Sequence, residues 1–304
     1  MITLTHRIAG ITFRTETDVE ALFVQNDSYG QFLVNGLRPD VHHRICGIDR
    51  ETLTLPRLSK NEKECISRCL CLPDDDLDVP PLRSPVVRDR LASCLRRPEQ
   101  MGLELYIFSV IIRDHVDRNI DFFYTSDCGE VLDDPGLEHI FRRMFASFLP
   151  AFSAVMVHSA GLIRDGRTAL FLAPDKGGKT TVMENSTDGT ILCDDQIVLR
   201  MEDDTLMAHG TPWGKITGGP QGAKMGAFFL LEKAAQFELI PLKAIDAVEY
   251  FWKEHLFYRA FLPKKLRLNA FEVITAACHQ APVYLMRFPE DYVDWDAIDA
   301  AMVK

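Results

Sequence analysis

The chain has 304 residues, 47% of them hydrophobic and 26% charged. This ordinary globular balance excludes a disordered chain, because the apolar surface is enough to offset the entropy of ordering. With 34 Lys and Arg against 44 Asp and Glu, the formal charge of -10 also argues against a nucleic-acid partner, although backbone amides can still cradle one phosphate against that field.

At about 150 residues per domain the length predicts two domains, drawn here as 1–150 and 151–304. No apolar run reaches bilayer-spanning length; the stretch from Phe145 to Val157 is too short and contains Pro150 and Ser153. The opening Met1-Ile-Thr-Leu-Thr-His-Arg lacks the apolar core of a secretory signal, and the 8 cysteines are too sparse for a disulfide framework. A cytoplasmic protein with reduced thiols and no membrane partner is expected.

In the first half, Ile8-Ala-Gly-Ile-Thr-Phe-Arg-Thr alternates as a strand should, and Ala21-Leu-Phe-Val and Tyr29-Gly-Gln-Phe-Leu-Val read as further apolar segments. From about 49 to 100 the pattern breaks at Pro73, Pro80, Pro81, Pro85 and Pro98, predicting a loop-rich insertion. Leu103–Ile112 and Asn119–Thr125 read as strands. Asp134-Pro-Gly opens a helix with Leu137, Ile140, Phe141, Met144, Phe145 and Phe148 at helical spacing, stopped by Pro150.

The second half has a different rhythm. Thr168–Ala173 is a fully apolar strand, followed by a glycine turn and a helix from about Lys179. Ile191-Leu-Cys is a strand that Gln196–Arg200 is read as continuing; Glu202-Asp-Asp is a turn and Thr205–His209 the return. Ala227–Leu231 is a buried strand, matched in pattern by Phe237–Leu242. Helices are predicted at about 244–253 and 267–277, a strand at Val283–Phe288 and a final helix at Trp295–Met302.

The segment Ala173-Pro-Asp-Lys-Gly-Gly-Lys-Thr-Thr carries the chemistry. A phosphate loop needs a buried strand, successive backbone amides and a helix N-terminus facing the anion. The loop amides of Pro174, Asp175, Lys176, Gly177, Gly178, Lys179, Thr180 and Thr181 form the candidate nucleotide site, less the N–H that proline lacks. Lys179 would neutralise phosphate and the Thr180 hydroxyl would ligate Mg²⁺. The consensus G-x-x-x-x-G-K-[ST] has Gly where this chain has Ala173, a position where glycine's backbone freedom is often used. Downstream, Asp194-Asp195 sits between apolar runs, where a phosphotransferase needs a metal ligand and a base. Neighbouring strand residues face opposite ways, so both acids can serve only if the strand is irregular or ends there.

These residues resemble the HPr kinase/phosphorylase family and its smaller relatives, kinase-like proteins found with peptide-modification pathways. The resemblance rests on Val157-His158-Ser159-Ala160, Ala173 to Thr181, Asp194-Asp195 and His209-Gly-Thr-Pro-Trp-Gly, over about residues 155–215. It implies an α/β fold with a P-loop core of the HPr kinase/PEP carboxykinase type, preceded by a strand-rich α+β N-terminal domain. It also implies Mg²⁺-dependent phosphoryl transfer from ATP or another nucleoside triphosphate to a hydroxyl, expected to be a serine of a peptide or protein. Carried over residue by residue, His158 would lie near the transferred phosphate, with Lys179 as phosphate contact and Thr180 as metal contact. Of the acid pair one is base and one metal ligand; Asp194 is favoured as base and Asp195 as ligand, the reverse being the alternative. The longer C-terminal signature of true HPr kinases is not recognisable, so HPr is not the expected substrate.

If Glu202-Asp-Asp is a hairpin tip, antiparallel pairing brings Thr211 to the level of Asp195. Thr211, Trp213 and Lys215 are therefore candidate substrate contacts, with a gap-filling Trp213 and a solvated Lys215 as the plainer alternatives. Cys65, Cys69 and Cys71 with His42 and His43 match no structural zinc spacing. Cys193 reads as a buried, inert thiol. Two other classes stay open: a non-catalytic nucleotide- or peptide-binding accessory protein, and a small-molecule kinase or carboxykinase-like enzyme. Self-association is also left open.

Overall fold

The computed structural model describes residues 2–17, 27–48, 101–106, 109–125, 141–186, 188–256, 259 and 262–302. The expected segment Ala21–Val24, the insertion at 49–100 with Cys65, Cys69 and Cys71, and the start of the helix at Asp134 lie outside them. Among the described residues the protein is mixed α/β, with two sheets and few helices. It divides into two compact units, one of Met1–Arg7, Ile11–Phe148 and Tyr258–Arg267, the other of Ile8–Gly10, Leu149–Phe257 and Leu268–Lys304. Among the described residues no helix is long and apolar enough to cross a membrane.

The first unit carries a six-stranded sheet of β1 (Ile2–Ile8), β2 (Ile11–Thr17), β3 (Val41–Ile48), β4 (Met101–Tyr106), β5 (Ser109–Asp114) and β6 (Asn119–Thr125), in the order β1-β2-β3-β6-β5-β4. β2, β3 and β6 run parallel, while β4 and β5 are antiparallel additions. Two strand expectations are corrected. Ile8–Thr15 is not one strand, because Ala9 (φ 52) and Gly10 (φ 74) turn the chain between β1 and β2. Leu103–Ile112 is likewise two strands paired with each other. A third correction falls on Tyr29–Val34: Asp27–Gly30 is a helical turn and Leu33 makes only an isolated bridge to His6. Residues 141–146 are helical, and their Phe145 packs on Phe13 with ring centroids 4.5 Å apart.

The second unit is built on β7 (Ala154–His158), β8 (Ala160–Arg164), β9 (Arg167–Leu172), β10 (Thr190–Cys193), β11 (Gln196–Glu202), β12 (Thr205–Gly210), β13 (Gly222–Lys233), β14 (Glu238–Pro241) and β15 (Val283–Phe288). The main path is β10-β8-β9-β13-β12-β11-β7, and β15 pairs with both β13 and β14. β14 therefore pairs with β15, not with the Ala227–Leu231 strand it was matched to by pattern. β9, β13 and β15 are parallel. Parallel strands are covered on both faces, which is why these read as continuous apolar runs. Phe171, Phe229 and Tyr284 lie in one row across the three strands and stack at 5.4 and 5.8 Å.

The geometry that matters most is a long antiparallel ribbon. β7 and β8 are one run of chain broken only at Ser159, and β10 and β11 are another broken only at Asp194-Asp195. His158 faces Gln196 on one side of the break and Gly161 faces Cys193 on the other, so the register is unchanged across it. The two interruptions are thus opposite each other, joined by the Ser159 N–H donating to the Asp195 carbonyl at 3.0 Å. Contrary to the sequence expectation, Gln196–Arg200 does not continue the 191–193 strand; that strand ends at the acid pair, which is the condition under which both acids can serve one site.

Candidate functional site

Leu172 leaves the apolar β9 into the turn 173–178, and the helix Lys179–Glu184 follows at once. The Gly177 N–H donates to the Pro174 carbonyl at 3.0 Å, closing a tight turn. Left-handed backbone is taken by Lys176 (φ 63) and Gly178 (φ 103), not by Ala173. Residue 173 therefore does not need the conformation that glycine supplies. Its methyl is fully buried in the core cluster with Phe171, Val182 and Phe288. Gly177 pays the steric debt instead: a Cβ there would lie 2.6 Å from the Ala173 Cβ. At Gly178 a Cβ would lie 2.6 Å from the Phe288 ring.

Lys179 folds back over the turn. Its Nζ donates to the Ala173 carbonyl at 2.8 Å and to the Pro174 carbonyl at 3.4 Å. Burial pushes its pKa below the ordinary lysine value, while the charges of Asp175, Asp195 and Asp194 oppose that shift. One buried cation thus lies in the field of three carboxylates. Thr180 is exposed at the helix start, Thr181 is half-buried, and Pro174, Asp175 and Lys176 are exposed on the turn.

The ribbon brings two further groups to this cation. His158 Nε2 lies 3.0 Å from Asp195 Oδ1 and 3.6 Å from Asp175 Oδ1. One imidazole therefore spans the acid pair and the turn. Asp194 is oriented by the segment that follows β12: its Oδ1 accepts the Ile216 N–H at 3.2 Å, and its own N–H donates to the Ile216 carbonyl at 3.1 Å. Gly214 permits this, since a Cβ there would collide with Asp194 Oδ1 and the Cys193 sulfur.

Thr211 sits opposite Gln196, one position from Asp195, as the hairpin argument expected, and its hydroxyl donates to the Gln196 carbonyl at 2.8 Å. Thr211 and Trp213 are both fully buried, so neither side chain offers surface to a substrate in this structure. They hold the loop that holds Asp194. Lys215 is exposed on that same loop. Cys193 is the inert thiol expected: it is fully buried, donates to the Trp213 carbonyl at 3.2 Å, and burial raises its pKa.

Two contributors were not foreseen. Asp175 was read for its backbone amide, yet its carboxylate is the part that reaches His158. His255, 97 residues from His158, places Nδ1 2.9 Å from the His158 carbonyl. Nothing in the local pattern around His255 signals this.

Among the described residues no three His, Cys, Asp or Glu side chains form a metal cluster. Thr180, exposed, and Asp195, part-exposed, are both accessible. Compared with known proteins, the chain matches no protein-family model and no curated protein.

Proposed function

We propose that this protein is a Mg²⁺-dependent phosphotransferase with a core of the HPr kinase type, moving the terminal phosphoryl group of a nucleoside triphosphate to a hydroxyl, with a serine of a peptide or protein as the acceptor. The observation that carries the reading is the convergence of three separated segments: His158 lies 3.0 Å from Asp195 and 3.6 Å from Asp175, in the field of Lys179. A buried lysine opening the helix that follows an apolar strand and its glycine turn, together with a strand break bearing two acids, suits polyphosphate chemistry.

In this reading the backbone N–H groups from Asp175 to Thr181, apart from the Gly177 N–H that closes the turn, receive the phosphates, and Lys179 exchanges its contacts with the Ala173 and Pro174 carbonyls for phosphate oxygens. Thr180 and Asp195 would hold Mg²⁺, which, when bound, neutralises phosphate charge. Asp194, oriented by the Ile216 amide, takes the acceptor's hydroxyl proton. The new oxygen–phosphorus bond forms as the bond to the leaving nucleoside diphosphate breaks, and the proton ends on the Asp194 carboxyl. His158 supports the moving group from beside Asp195. Positioning and charge neutralisation supply most of the rate. The same reading places the protein in the cytoplasm, where nucleotide and Mg²⁺ are at hand.

Calorimetric titration with ATP and Mg²⁺, paired with radiolabel transfer to candidate peptides, tests it. Lys179→Ala should weaken nucleotide binding about 10- to 100-fold, the value of a charge-assisted contact. Asp194→Asn should leave binding intact and lower transfer about 100-fold or more. Tight binding with no turnover on any acceptor would favour the accessory-protein reading instead.

A further inference from the structure

We infer that His255 is a positioning residue of this site: by donating from Nδ1 to the His158 carbonyl at 2.9 Å, it anchors the backbone at the end of β7, from which the His158 ring reaches Asp195 and Asp175. The kinetic consequence rests on the phosphotransferase reading; the geometric link does not.

His255 closes a wide helical turn, Phe251–His255, that continues the helix Ala244–Tyr250. The Leu256 N–H donates to the Phe251 carbonyl at 3.0 Å, a five-residue step that lets one extra residue into the turn. Such local widening re-aims side chains and recurs at functional sites. Here it carries His255 to full burial, 1% exposed, beside the Tyr250 ring at 4.9 Å.

The chemistry of the contact is one-sided. A carbonyl oxygen only accepts, so Nδ1 must carry the proton. Burial holds the His255 pKa down at about 4 against the opposing pull of the bond to the His158 carbonyl, with the charges of His158 and Lys179 adding to burial. His255 is therefore neutral near pH 7 and adds no second cation beside Lys179. Its two ring nitrogens are then a donor committed to His158 and a bare acceptor at Nε2, which is buried with no hydrogen-bond partner among the described residues. A buried histidine kept at the expense of an unsatisfied nitrogen is better explained by the bond its other nitrogen makes than by packing alone. The two rings are 6.5 Å apart between centroids, so the effect passes through the His158 backbone. That backbone is where β7 ends, next to Ser159, whose N–H donates to the Asp195 carbonyl.

The test uses the ligand-free protein and the ring nitrogen signals of His158, read by NMR at one fixed pH in histidine-labelled protein and assigned with His158→Gln. His255→Leu removes the donor and keeps the bulk; His255→Asn keeps a donor near the Nδ1 position. The Leu variant should move the His158 ring signals and the Asn variant should return them toward wild type. With an accepted substrate, His255→Leu should lower kcat about 10- to 100-fold with KM for MgATP unchanged, and His255→Asn should recover most of it. Should the Leu variant fail to fold, His255→Gln serves, because its amide does not reach the Nδ1 position. Unmoved His158 signals in a folded donor-less variant would overturn the inference, as would His255→Asn behaving like His255→Leu. Displaced His158 signals alongside no transfer to any acceptor would sink the phosphotransferase reading and leave the positioning role standing.

Discussion

The pairing of Ala173 with Gly177 yields a quantitative prediction. Restoring the consensus with Ala173→Gly removes a fully buried methyl, about 0.8 kcal/mol, and adds backbone freedom to the unfolded chain, about 0.5–1 kcal/mol. The substitution should therefore cost about 1.5 kcal/mol. Gly177→Ala puts a Cβ 2.6 Å from that methyl and 2.9 Å from the Pro174 carbonyl oxygen. Its backbone lies outside the left-handed region, so the cost is steric, about 1–3 kcal/mol for overpacking. In the double variant the methyl moves from one residue to the other and the 2.6 Å clash disappears, leaving only the carbonyl contact. The double variant should be less destabilised than the sum of the singles by about 1 kcal/mol or more. All 3 tryptophans, Trp213, Trp252 and Trp295, lie in the unit that carries this turn, so tryptophan fluorescence during urea unfolding reports on the relevant part of the molecule. Additivity within about 0.5 kcal/mol would show that the two positions are not sterically coupled and that the tolerance of alanine at 173 has another cause.

Acid should destabilise the first unit. Burial lowers the pKa of His6 to about 4 and of His43 and His115 to about 3, below the ordinary 6.5, so the unfolded chain binds more protons between those limits. Stability should be full above about pH 6.5 and fall by about 1.4 kcal/mol per pH unit for each imidazole as pH drops toward 4, and His115→Leu should lower the slope of urea stability against pH by about one proton. At the C-terminal helix, Trp295 Nε1 donates to the Asn185 carbonyl at 3.0 Å while Arg164, held by Asp299, lies 4.8 Å over its ring. Trp295→Phe keeps a ring and loses the donor, so thermal unfolding should show a loss of about 1–2 kcal/mol. Iodoacetamide should label Cys193 only at the rate of unfolding, since the thiol is buried and its pKa raised.

How much of this was legible in the sequence depends on whether the cause was local. Val283–Phe288 and Trp295–Met302 have the bounds expected of them, because an apolar run and a helical period are properties of neighbouring residues. The errors fall where a turn was short and its residues not emphatic. Ala9-Gly10 reverses the chain with two left-handed residues, and only one of them is glycine. The 103–112 run hides a hairpin because its two strands have the same apolar character. The acid pair was visible as a pair, but that it ends one strand and starts another depends on β10 and β11 taking different partners, which is a tertiary fact.

The site divides along the same line. The turn 173–181 and Asp194-Asp195 are contiguous, so their chemistry is written in short words of sequence. Their convergence is not, yet it follows from one physical constraint. β7 and β11 keep one register, which carries through Ser159 opposite Asp195 to Gly161 opposite Cys193; the one-residue shift in β10 comes only beyond that point, between Ile191 and Cys193. The interruption at Ser159 and the break at Asp194-Asp195 therefore fall opposite each other, and the residue before the first, His158, is delivered to Asp195. Once the core has set that register, the imidazole meets Asp195 without any recognition between the two groups. What pairing alone leaves open is the setting of the backbone where β7 is interrupted, and there a contact arrives from outside the ribbon: the His255 ring, carried by a widened turn 97 residues downstream, meets the His158 carbonyl.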